Sequence, residues 1–227
     1  GMTPVRDKKK LVDDLRKAVK DATSYCSRKG VDLAGIEGLS LGDLHRLQRI
    51  DDAMNALIAP DSVHKDFLAH ERLVSTLYKA VKPDLAALEF AARTACLTSI
   101  ADAIRATLNP NPVDISKVMG QVQEVLDNSI TGVDMPGKLM PLINLSVIDF
   151  AALRNRFAKS KQKNTDLERL KAAIRAQLEK LIRLNSTRTD YLEKFEELIE
   201  SYNNGSRNIE EILEELLNFA EGLSEEQ

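Results

Sequence analysis

The chain has 227 residues and 25.2 kDa, a formal net charge of −3, 43% apolar, 30% charged and only 4% aromatic side chains, and no Trp. That length buries one large core or two small ones, and the bias toward Ala, Leu, Lys, Glu and Arg is that of packed helices, so the chain reads as all-α. No apolar run approaches the ~20 residues needed to cross a bilayer and no charged start with an apolar h-region marks a signal peptide, which excludes a membrane partner and predicts a cytoplasmic protein.

Gly1 ahead of Met2 reads as the remnant of a removed tag. The first helix is predicted from Pro4 to Lys29, with Thr3 as its cap, Leu11, Leu15, Ala18 and Ala22 as an apolar stripe and Gly30 as its stop. VDLAGIEGLS then reads as a Gly-rich loop. A second helix is expected after Ser40-x-x-Asp43, turning Leu44, Leu47, Ile50 and Met54 inward until Pro60 ends it. The third runs from Ser62 to Val81 on a core face of Phe67, Leu68, Leu73, Leu77 and Tyr78. Pro83 opens the fourth, which uses Leu85, Leu88, Ala92, Ala95, Ile100 and Ile104 and reaches Leu108. The NPNP run from Asn109 to Pro112 stops it, because neither proline donates to a helix ladder.

A fifth helix is predicted from Asp114 to Ile130. The stretch TGVDMPGKLMPLINLS, rich in Gly and Pro and without helical period, marks a boundary between a subdomain of residues 1–140 and one of 141–227. Four helices follow in the second: Asp149 to Ser160, Thr165 to Leu184, Arg188 to Tyr202 and Ile209 to Glu221. Thr165-x-x-Glu168, Thr187-x-x-Asp190 and Asn208-x-x-Glu211 supply capping boxes, and Gly205 and Gly222 supply stops. The expected architecture is a bundle of about nine helices in two helical subdomains, with short loops that favour antiparallel neighbours.

Charge is distributed unevenly along this second part. From Arg154 to Arg188 there are eleven basic and three acidic residues, a net of plus eight; from Asp190 onward there are twelve acidic and two basic, a net of minus ten. The basic tract has three readings. It pairs with the acidic helices after it, as alternating helix charge usually does; it tracks a phosphate backbone; or it docks a protein. Arg154, Arg156, Lys159, Lys161 and Lys163 cluster ahead of the acidic segment and are the candidate partner- or DNA-binding residues. Phe150 and Phe157 are the aromatics at hand, too few for base stacking along a single strand.

No catalytic or metal site is read from the chain. Gly132 to Lys138 has the spacing of a phosphate-binding loop, but Leu139 stands where the magnesium-holding Ser or Thr belongs and Pro141 follows. His70-Glu71 begins like a zinc motif, yet position 74 is Val, so a packing or surface histidine is the reading for His70, as for His45 and His64. Asp13-Asp14 and Asp51-Asp52 point about 100° apart on a helix and cannot converge on one atom. Cys26 and Cys96 match no metal spacing and read as reduced thiols.

The run from Asp149, DFAALRNRFAKSKQKNTDLERLK, then IRLNSTR, then FEELIESYNNGSRNIEEILEELL, resembles the C-terminal helical region of the restriction (R, or HsdR) subunit of type I restriction-modification enzymes. The first 140 residues are similar to the helical segment after the motor in that family. The resemblance implies a nuclease domain and two motor domains ahead of this region in the full subunit, where ATP and magnesium are used. Without Walker, helicase or nuclease motifs, this chain is expected to be no enzyme by itself and to need no cofactor. The final Glu225-Glu226-Gln227 falls where family members are expected to continue, so the chain reads as a C-terminal fragment. The implied function is to pack on the motor domains of the same subunit and dock them onto the methyltransferase and specificity subunits. Duplex DNA, bound through its backbone without sequence preference, is the alternative partner.

Overall fold

The computed structural model describes residues 4–110 and 149–225, with side chains from residue 8 onward. Among them are nine α-helices, two 3₁₀ turns and no strand, so the all-α reading holds. The chain divides into two compact units, Gly1–Ile104 and Arg105–Gln227. The predicted helix from Asp114 to Ile130, the expected boundary at 140/141 and the glycine spacing of Gly132 to Lys138 lie outside the described residues.

The first unit contains α1 (Pro4–Arg28), α2 (Leu33–Glu37), α3 (Leu44–Ile58), α4 (Asp61–Val81) and most of α5 (Ala91–Leu108). Packing of α1 on α4 is its principal helix contact. Leu15, Ala22 and Cys26 from α1 and Phe67 and Val74 from α4 are fully buried, and α5 adds Cys96, Leu97, Ile100, Ala101 and Ile104. α1 ends as its glycine predicts. Gly30 takes φ +79, the left-handed region open to glycine, while Val31 N donates to Cys26 O at 2.9 Å and Gly30 N to Ser27 O at 3.0 Å.

Five expectations in this unit are corrected. The Gly-rich stretch after Val31 contains the short helix α2, because Asp32 caps it by accepting from Gly35 N at 3.2 Å and Leu33 and Ile36 are buried beneath it. A Cβ at Gly35 would lie 2.7 Å from the Asp32 carboxylate and 2.9 Å from the Arg49 guanidinium, so a larger residue there displaces the ends of those side chains. α3 is capped by Asp43, which accepts from His45 N at 2.8 Å, rather than by Ser40. Its buried face is Ala53, Met54, Leu57 and Ile58, so Leu44 and Leu47 remain 62% and 41% exposed.

The helix expected from Pro83 begins instead as a 3₁₀ turn, Leu85–Phe90. In that geometry residues three apart eclipse. Ala87 and Phe90 take the inner row, which puts Leu85 and Leu88 on the outer one. On α4, Val74 rather than Leu73 faces the core, with Leu73 exposed.

Buried polar groups here finish helix ends. Arg46, 6% exposed, donates to Ile36 O at 2.7 Å, which also accepts from Leu39 N at 3.2 Å, and to Leu39 O at 3.3 Å in the turn after α2. Tyr25 Oη donates to Val63 O at 3.1 Å, and Arg93 joins Glu37 and Thr23, tying α5 to α2 and α1.

The second unit holds α6 (Phe150–Lys159), α7 (Lys163–Leu184), α8 (Thr189–Asn203) and α9 (Ile209–Glu225). Each lies within a few residues of its predicted span. Leu167, Leu170, Ile174 and Leu178 of α7, Phe195 of α8 and Ile212, Leu216 and Ala220 of α9 are fully buried. The Asn208 capping box is reciprocal: Glu211 N donates to Asn208 Oδ1 at 2.8 Å and Asn208 N to Glu211 Oε2 at 3.1 Å. Gly205 stops α8 with φ +80.

The other caps differ from expectation. α7 starts at Lys163, placing Thr165 inside it, and Asn185, accepting from Thr187 N at 3.1 Å, opens a 3₁₀ turn ahead of α8. Gly222 is no stop, since burial of Leu223 carries α9 on to Glu225.

Replacing Arg46 by Met keeps its bulk and removes both hydrogen bonds. Urea denaturation followed by circular dichroism is expected to show a loss of about 2 kcal/mol, the scale of hydrogen bonds from a charged donor.

Candidate interaction surface

The basic tract begins on α6, whose cap is Asp149, accepting from Ala152 N at 3.1 Å. Spacing of Phe150, Leu153 and Phe157 puts one apolar stripe on this ten-residue helix, and all three are buried, with α6 packed on α9. That orientation decides where its cations go.

Arg154 faces α9. Its Nη2 donates to Glu221 Oε2 at 2.6 Å and Asn218 Oδ1 at 2.8 Å, and its Nε to Glu214 Oε1 at 3.3 Å. These acceptors stand at i, i+4 and i+7, one row along α9. The hydrogen bond to Glu221 is the main reason the guanidinium is held above its ordinary pKa, with the charges of Glu221 and Glu214 adding to it.

Lys163, the first residue of α7, reaches Glu210 Oε1 at 3.2 Å at the start of α9. Glu210 is held below the usual carboxylate range first by its own backbone amide and then by Lys163. Arg175 pairs with Glu196 of α8 at 3.4 Å and lies over the Phe195 ring. Lys171 and Glu168 form an ion pair at 3.0 Å that is buried on both sides.

Arg156 and Lys159 are exposed, on the side of α6 away from Arg154, and Lys161 is exposed in the connector to α7. Nearby, burial pushes the Asp166 carboxyl up, opposed by a hydrogen bond from Ser160 and by the charges of Arg169 and Arg156. The five candidate residues therefore do not form one patch. Arg154 and Lys163 are spent on α9, whereas Arg156, Lys159 and Lys161 face outward.

Sequence reasoning missed the exposed leucines of the first unit, Leu41, Leu44 and Leu47, whose three-residue spacing imitates a core stripe. It also missed an open groove of about 620 Å³ in that unit, lined by Ile36 and Leu39 with His45, Arg49 and Asp52 along its α3 side. The other two histidines have structural roles. His64 Nδ1 lies 2.6 Å from Ile58 O, and His70 packs its ring 5.1 Å from that of Tyr25.

Among the described residues, no group of three or more His, Cys, Asp or Glu side chains is placed to hold a metal ion. Nor is any helix there long and apolar enough to cross a membrane. Both thiols are fully buried, and that burial raises Cys26 to about 12 and Cys96 to about 11.

The architecture is that of an all-helical protein in which part of the basic tract pairs with the acidic helices after it. The chain belongs to the family described as type I restriction enzyme HindI endonuclease subunit-like, C-terminal, which matches residues 2–227. No curated protein and no solved structure matches it.

A thiol whose folded pKa lies above its unfolded value favours folding fully at lower pH. That contribution is lost as pH rises from about 9 through 11 to 12. Urea midpoints are therefore expected to fall above pH 9. At pH 8 a thiol-exchange reagent is expected to leave both cysteines untouched until guanidinium unfolds the chain.

Proposed function

We propose that this domain is a non-catalytic docking module of a type I restriction enzyme subunit. It packs on the ATP-dependent motor of its own subunit and holds that motor against the methyltransferase and specificity subunits, so that DNA is drawn past a fixed complex. ATP and magnesium act elsewhere in the full subunit, and this domain takes no cofactor of its own. The observation that carries the reading is family membership over residues 2–227, as the C-terminal domain of an endonuclease subunit. The outward cations Arg156, Lys159 and Lys161 and the exposed carboxylates Glu193, Glu197 and Glu200 of α8 supply charged surfaces for such docking.

Light scattering of the chain titrated with its methyltransferase and specificity complex, without DNA, is expected to show a stoichiometric gain in mass. The combined Arg156→Glu, Lys159→Glu and Lys161→Glu variant should bind about tenfold more weakly, with helicity unchanged by circular dichroism. Undiminished assembly by that variant removes these residues from the interface.

Duplex DNA is the second reading, supported by Lys159 and Lys161 standing exposed together where α6 ends. It requires binding whose logarithm falls with log salt by about 0.9 per phosphate contacted. Unchanged duplex mobility at low salt removes it.

A further inference from the structure

We propose that α6 is a detachable strap, seated on the second unit by a short apolar stripe with solvent-open ion pairs beside it, and able to open while α7 and α9 stay folded. Four observations converge on this. A helix of ten residues is shorter than the ~12 to 15 at which isolated helices become even marginal in water, so the helicity of α6 comes from its seat. That seat lies at the rim of the core. Phe150, Leu153 and Phe157 remain 9%, 9% and 5% exposed, against 0% for Leu167, Leu170, Ile174 and Leu178 of α7 and 0% to 4% for Ile212, Leu213 and Leu216 of α9.

The polar half of the contact is open to solvent. The side chain of Arg154 is 29% exposed and those of Glu214 and Glu221 are 56% and 44% exposed, so dissolved ions reach and screen the pairs. Finally, α6 is joined to α7 by a non-helical connector. Ser160 is extended at φ −65, ψ 136, and Gln162 lies at φ −117, ψ 46, so rotation at these residues swings α6 without unwinding α7. α7 keeps its own tether to α9 through Lys163 and Glu210.

Opening frees Arg154 and uncovers Glu214 and Glu221 beside an apolar seat. Such a seat complements a basic amphipathic helix with anchors at i, i+3 and i+7.

Amide hydrogen exchange of the full chain, read helix by helix, tests the strap. In the unmodified protein, α6 is expected to exchange faster than α7 and α9, and raising salt from 0.05 to 0.5 M should speed α6 alone. Arg154→Ala should speed α6 exchange about fivefold at low salt, with α7 and α9 unchanged. Glu214→Gln with Glu221→Gln should reproduce that change from the other side of the contact, and Arg154→Lys should restore part of the protection. If α6 shares the protection of α9, or if the variants speed both helices together, α6 is part of the core and the proposal fails.

Discussion

The arrangement of the second unit depends on where Arg154 points. Its guanidinium is laid across Glu214, Asn218 and Glu221, and this contact, with the apolar stripe beside it, seats α6 on α9. Two segments that carry opposite charge in the chain are thereby recombined in space. Lys163 with Glu210 joins α7 to α9 in the same way, and Arg175 with Glu196 joins α7 to α8. Exposed pairs of this kind contribute little individually, so the buried leucines of α7 and α9 hold the unit together while the charges select register and partner helix.

That geometry also determines which surface remains for other molecules. Rotating α6 to bury Phe150, Leu153 and Phe157 necessarily turns Arg154 inward and Arg156 and Lys159 outward, because successive residues advance by about 100° around a helix. The charge of the tract is therefore divided between internal use and display. The docking proposed above would draw on the displayed part.

The first unit solves a different problem, that of ending several helices inside a small core. Arg46 donates to carbonyls at the end of α2 and in its following turn, while Tyr25 on Val63 and Arg93 on Glu37 and Thr23 tie helices to one another. On the same unit Leu41, Leu44 and Leu47 stand in solvent. Both thiols are enclosed by the same packing, which keeps them protonated and inert.

The sequence by itself determined the helical class, most element spans, the Gly30 and Gly205 stops and the Asn208 capping box, because each is governed by residues within about one turn. It also carried the family resemblance, in the wording of the run from Asp149 onward. Tertiary structure alone decided which apolar residues are core. Leu44 and Leu85 satisfy a helical stripe as well as Met54 and Phe90 do, and only the position of neighbouring helices, or the tighter period of a 3₁₀ turn, tells them apart. It alone divided the candidate cations: the charge pattern allowed the basic tract to pair with the acidic helices after it, but only the packing makes Arg154 and Lys163 the ones of the five that meet α9.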